Sequence, residues 1–268
     1  ELVNPLLTGE QAQLIFQTAH QRKNGSLYSV EVHLQVVGEG EERSFLALIY
    51  DITGRKQEEH RQATLYTITR LLAGANSLEE TAPYIMETIC QALNWNVGAL
   101  WKVDEESQVL RCAEVWDEKT VFTSFIECSR QNSFALGVGL PGRVWKSGKV
   151  EWIHDVGADR NFPRIAAATT VGLHAAFAFP IGSRDRPYGV MEFFATTLRE
   201  PDQKLLDLME GLAGQMSQFL ERKQSEQSLS NAKNKAEAAA RERAEILAAV
   251  EAFFICVNGE GAVTTWTP

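Results

Sequence analysis

GLHAAFAFPIGSRDRPYGVMEFFAT, residues 172–196, decides the fold. Two runs of strand character, His174 to Ile181 and Tyr188 to Thr196, flank Arg184-Asp185-Arg186, which reads as a β-hairpin. With Gly182 opposite Tyr188, Ala178 faces Glu192 and Ala176 faces Phe194. One side then carries Phe177, Phe179, Ile181, Met191 and Phe193, a continuous apolar surface. The other side mixes His174, Ala176 and Ala178 with Tyr188, Val190, Glu192 and Phe194. Small side chains leave volume there, and a carboxylate sits in mid-strand. Burying that carboxylate unpaired costs several kcal/mol, so it needs a partner, water or ligand. A pocket is therefore expected on this face, roofed near Trp145 and Phe162, with His174, Ala176, Ala178, Glu192 and Phe194 on its floor. The alternative is that an arginine such as Arg143 or Arg164 pairs with Glu192 while tryptophan side chains fill the space.

Outward from the hairpin, strand-like runs cover Val97 to Val103, Val109 to Trp116 and Glu151 to Asp155. Gly137 to Trp145 reads as a turn into a short helix. Upstream, Leu65, Ile68, Leu71 and Leu72 have helical spacing. Ser77-Leu78-Glu79-Glu80 caps a second helix with Ile85, Ile89 and Leu93 on one face. Downstream, the pattern is helical from Asp202 to Val250 without a proline. Two helices, an antiparallel sheet with inserted loops and a long exit helix make an α+β domain.

The words within this order resemble a GAF domain: GVGLPGRVW (137–145), EWIHDV (151–156), NFPR (161–164), GLHAAFAFPIGS (172–183) and GVMEFF (189–194). The resemblance spans residues 59–222 and implies a sheet with helices on one face and a loop-roofed small-molecule pocket on the other. It also implies the setting of such modules in bacterial sensor histidine kinases or diguanylate cyclases.

On the N-terminal side, Asn24-Gly25 between extended runs is a hairpin signal. Tyr28, Val30, Val32, Leu34 and Val36 then alternate with polar residues, and Gly38 to Glu41 turns the chain into Phe45 to Tyr50. Asp51 and Thr53 are placed to accept amide protons at the start of the next helix. The order HQRKNGSLYSVEV followed by DITGRK is similar to the C-terminal half of a PAS domain with its PAC motif, residues 1–58. Residues 245–268, ending Trp266-Thr267-Pro268, resemble the start of a second PAS domain. Between them, residues 223–244 read as a coiled-coil linker. The chain begins with Glu1 and stops after a strand-like run, so it is expected to be a segment of a longer protein.

Met209, Leu212, Met216 and Phe219 follow a 3-4 spacing and read as a coiled-coil seam. A second seam, Leu229, Ala232, Ala236, Ala239, Ile246 and Val250, starts one position out of register. These seams, with Asp51 and Thr53, form the expected signal linker of a parallel homodimer that drives a downstream output domain. A solvated alanine-rich spacer is the alternative.

Composition narrows the chemistry. The chain has 268 residues, 44% of them hydrophobic, enough for a core. Thirty-five acidic against 26 basic residues give a net charge of −9, which argues against nucleic acid as a partner. No apolar run approaches a membrane span, and the four scattered cysteines suit a reduced, cytoplasmic protein better than disulfides or a metal site.

No cofactor is expected. Bilin attachment in such domains uses a Cys directly before a His, whereas Leu173 precedes His174. A lone histidine at a strand start argues weakly for haem, and the cyclic-nucleotide signature of some GAF domains is absent. Trp101, Trp116, Trp145 and Trp152 would suit either a planar ligand or core. The stretch after His60 lacks the acidic residue and proline of a phospho-acceptor box. The glycine-rich stretches lack the lysine of a phosphate cradle. The segment is thus expected to be a non-enzymatic sensory relay, either liganded or purely structural.

Overall fold

In the computed structural model, residues 4–8, 10–38, 44–119 and 121–257 are described, with side chains for all of them except residue 7 and residues 247–257. A short helix α1 (Asn4–Leu7) precedes three antiparallel strands, β1 (Gln13–Gln21), β2 (Leu27–Val37) and β3 (Ser44–Asp51), in the order β1-β2-β3. The β1–β2 turn places Gly25 at φ 85°, which only glycine adopts without strain. Val30 and Val32 are buried as the alternation requires. The β3 edge carries Phe45, Leu46, Leu48, Ile49 and Tyr50 about half exposed.

Helix α2 (Thr53–Gly74) leaves this sheet. Asp51 accepts the Thr53 amide at 3.0 Å, as its position predicts. Thr53 departs from expectation: its hydroxyl accepts the Ser29 amide of β2, 3.1 Å away. It ties the helix back to the start of β2. Helix α3 (Leu78–Leu93) starts at Ser77, whose hydroxyl accepts the Glu80 amide at 3.2 Å. It ends at Asn94 in the left-handed region.

The main sheet is six-stranded and antiparallel, in the order β6-β5-β4-β9-β8-β7. Its strands are β4 (Val97–Asp104), β5 (Val109–Asp117), β6 (Ser133–Phe134), β7 (Glu151–Ile153), β8 (Ala175–Gly182) and β9 (Pro187–Ala195). Three short helices cover one face: α4 (Thr123–Gln131), α5 (Gly139–Ser147) and α6 (Ile165–Thr170). Of these, α4, α6 and the two-residue β6 carry too few periodic residues to be legible in sequence. The closing helix, α7 (Gln203–Val257), has 55 residues and spans roughly 80 Å at about 1.5 Å per residue.

The central pairing matches the sequence reading, with Ala178 opposite Glu192 and Ala176 opposite Phe194. Its expected starting pair does not form. A bulge between Ile181 and Gly182 sets Gly182 against Pro187, and Tyr188 turns to the helix side, where it packs on that core. At Gly189 the β9 backbone runs so close to the Trp101 carbonyl of β4 that a Cβ would overlap it.

The sheet divides two cores. On the helix side, Ile68, Leu72, Ile85, Met86 and Ile89 pack on Phe177, Phe179, Ile181, Met191 and Phe193. Met209, Leu212, Met216 and Phe219 of α7 belong to this same core, each buried. Their 3-4 spacing is therefore not an interhelical seam of a coiled coil. It is the domain's own apolar stripe, which the same periodicity serves equally well. Arg61 of α2 pairs with Asp202 at 3.2 Å, and Thr69 bonds Gln215 at 2.8 Å, so α2 and α7 run side by side in one direction. From Gln224 to Ile246 the α7 side chains are all exposed. Residues Glu245 to Val257, expected to open a second PAS domain, continue α7 as helix. Gly259 to Gly261 and Val263 to Pro268 of that expectation, like Glu39 to Glu41 of the β2–β3 turn, lie outside the described residues.

Candidate functional site

The second core lies on the opposite face of the sheet, beneath α4, α5 and α6, where the pocket was expected. Its centre is an ion pair. Glu192 of β9 and Arg164, the residue before α6, are 0% and 1% exposed at the side chain and approach to 2.7 Å. Trp101 Nε1 donates to Glu192 Oε1 at 2.7 Å, and Arg164 Nη2 donates to Oε2 at 2.9 Å. Arg164 Nη1 donates to the Ser129 hydroxyl of α4 at 2.8 Å, and that hydroxyl donates in turn to the Phe125 carbonyl. Burial pushes the Glu192 carboxyl above its ordinary value, against the pull of the guanidinium and the indole N–H.

Aromatic rings close the rest of the shell. The Arg164 Cζ lies 4.9 Å from the ring centroid of Phe125, 5.0 Å from Phe134 and 5.1 Å from Trp101. Phe162 and Phe194 stand at 5.3 and 5.4 Å. These are cation–π distances, which a low-dielectric site strengthens. The guanidinium thus sits in an aromatic cage floored by Glu192.

The loops above are held by a second, shallower network that joins three of the sequence motifs. Arg143 of GVGLPGRVW donates to Glu151 at 2.5 Å, to Asp159 at 2.8 Å and to the Asn161 carbonyl at 2.7 Å. Asn161 of NFPR accepts the Gly139 amide and donates to the Gly137 carbonyl, at 2.9 and 3.0 Å. Gly139 itself has φ 65°, and a Cβ there would strike the Phe134 ring. The turn before α5 is therefore clamped over the cage, and Arg143 is spent on the clamp rather than on Glu192.

The expected site residues largely converge. Ala176, Ala178, Phe162, Glu192 and Phe194 share this core, and Trp145 packs on its margin. His174 does not join them: it is half exposed and pairs with Asp155 at 3.3 Å, because β8 begins one residue after it. Trp101 belongs to the cage, whereas Trp152 and Trp116 pack on the helix-side core. Phe125, Ser129 and Phe134 were not foreseen. Their only sequence signal is the buried carboxylate's need for a partner, which points to an arginine but not to its surroundings. Cys112 packs beside the cage, and burial pushes its thiol up to about 12, so it is held protonated at neutral pH. No metal-binding cluster of His, Cys, Asp or Glu occurs among the described residues. No helix among them is long and apolar enough to cross a membrane.

The fold has known counterparts. The chain is similar to free methionine-R-sulfoxide reductase from Neisseria meningitidis, determined in complex with its substrate. Identity is 18%, with a TM-score of 0.53 over 63% of this chain and 93% of that one. It is also similar to the GAF domain of a phosphoenolpyruvate-protein phosphotransferase from Coxiella burnetii, at 14% identity and a TM-score of 0.53, covering 63% and 98%. A putative GAF sensor protein from Burkholderia vietnamiensis matches at 15% identity and a TM-score of 0.51, covering 62% and 97%. At these identities the likeness is one of fold, and it includes an enzyme alongside regulatory modules. No curated protein matches the sequence. The family model described as the GAF domain matches residues 75–221, more than half of the sequence, and the chain belongs to the GAF domain family.

Proposed function

We propose that the chain is a signal-relay segment whose GAF domain works as a dimerising transmission module with its roofed face filled from within. The observation that carries this reading is Arg164, whose guanidinium, paired with Glu192 at 2.7 Å, takes the volume that a pocket on this face would need. It favours the structural form of the module over one that takes a dissolved ligand there.

The relay route follows the helices. The three-stranded sheet, read as the second half of a PAS domain, delivers its chain into α2. The parallel contact of α2 with α7 passes displacement onward in the same direction. Beyond the domain, α7 exposes Leu229 at 73% and Ile246 at 55%. A solvated single helix gains little from propensity alone, which supports pairing of two α7 helices in a parallel homodimer. The output proposed for this route is a domain of kinase or cyclase type.

Sedimentation and native mass spectrometry of the purified chain test the reading together. The expected result is a dimer with the mass of two chains and nothing more. A monomer at high concentration would overturn the relay dimer, and a bound small molecule of constant extra mass would overturn the filled-face reading.

A further inference from the structure

The cage around Arg164 has more in it than an ion pair requires. One carboxylate suffices to neutralise a buried guanidinium, and a core position otherwise favours aliphatic packing. Here five rings surround the cation, and they come from separate places in the fold: β4, α4, β6, the loop before α6, and β9. Glu192 and Ser129 add acceptors from the sheet and from α4. The occupant arrives on a single side chain from the loop that precedes α6. Receptor groups are thus distributed through the scaffold while the ligand is one loop residue. The fit is incomplete as well, since Arg164 Nε is buried without a hydrogen-bond partner.

We propose that this face is a guanidinium-binding site occupied in cis by Arg164, and that a free guanidinium compound takes the same place when that side chain is removed. The inference rests on the relay reading and deepens it: a tethered occupant fills the site in every copy, so the relay does not depend on dissolved ligand. Selectivity follows from shape. A guanidinium is planar, weakly hydrated and presents donors in a fixed fork, so it slots between rings while reaching two acceptors. A compact ammonium ion is more strongly hydrated and meets fewer of these groups at once. Tethering gives Arg164 a high effective concentration, so a dissolved competitor leaves the unaltered protein unchanged.

The test is thermal unfolding of Arg164→Ala against methylguanidinium chloride, with methylammonium chloride at equal ionic strength as the control. A saturable rise in Tm is expected with methylguanidinium, about 5–10 °C at a hundredfold excess over Kd. Methylammonium should give little, and both the unaltered protein and Arg164→Ala/Glu192→Gln should give none. A flat response, or one shared with the unaltered protein or with methylammonium, overturns the proposal. If Arg164→Ala does not fold unaided, refolding yield from urea replaces Tm. Recovery in methylguanidinium but not in methylammonium supports the site, and equal or absent recovery overturns it. The relay reading stands or falls separately, on the oligomeric state and native mass of the unaltered chain.

Discussion

Arg164 and Glu192 each make the other tolerable, so the pair's weight appears only when one member is removed. Arg164→Met leaves a fully buried carboxylate without its counter-ion, and Glu192→Leu leaves a caged cation without its anion. Each is expected to cost about 3–5 kcal/mol by chemical denaturation. The double variant Arg164→Met/Glu192→Leu removes both charges and keeps apolar volume, so it should recover most of that loss. A double variant no more stable than either single one would mean that the cage cannot repack. Only half of this arrangement was legible in the sequence. A mid-strand carboxylate among alanines and phenylalanines announces that it needs a partner. Arg143 and Arg164 are equally good candidates at that level, since nothing local distinguishes them. Tertiary structure separates them by spending Arg143 on Glu151, Asp159 and the Asn161 carbonyl.

At the level of elements, the N-terminal sheet is fastened by Glu31, which accepts from Gln17 of β1, pairs with His33 of β2 and takes Arg55 from α2. The hydrogen bonds from His33, Gln17 and Arg55 hold its carboxyl well below the ordinary 4.5, at about 2. A depressed carboxylate contributes stability that is complete above its unfolded value and is lost as pH falls through its folded one. Unfolding of β1–β3, followed by hydrogen exchange, should therefore speed up between about pH 4.5 and pH 2, and Glu31→Gln should flatten that dependence. An unchanged acid profile in Glu31→Gln would sink the assignment. The strands and caps of these elements were readable because period-two alternation, Asn24-Gly25 and Ser77 act locally. Thr53 and Tyr188 misled for the same reason. A hydroxyl at a helix start and an alternating tyrosine have local meanings, which a neighbouring strand and a β-bulge replaced.

The whole molecule has a direction: sheet, α2, domain, then α7 leading away on the course α2 set. If two copies pair through the exposed part of α7, Leu229 and Ile246 lie in the contact. Leu229→Asp/Ile246→Asp should then shift the dimer to monomer in sedimentation while leaving the domain's own unfolding unchanged. Dimers that persist in this variant would move the interface elsewhere. Sequence alone determined the α+β order, the central register of β8 against β9 and the GAF membership, because each rests on short-range periodicity and on motifs within contiguous stretches. Tertiary structure alone decided that Met209, Leu212, Met216 and Phe219 are core rather than seam, and that Arg164 rather than Arg143 is the partner of Glu192. An apolar stripe on a helix says that something covers it but not what. A buried charge says that something neutralises it but not from where. Both answers depend on residues distant in the chain, which only the folded arrangement brings together.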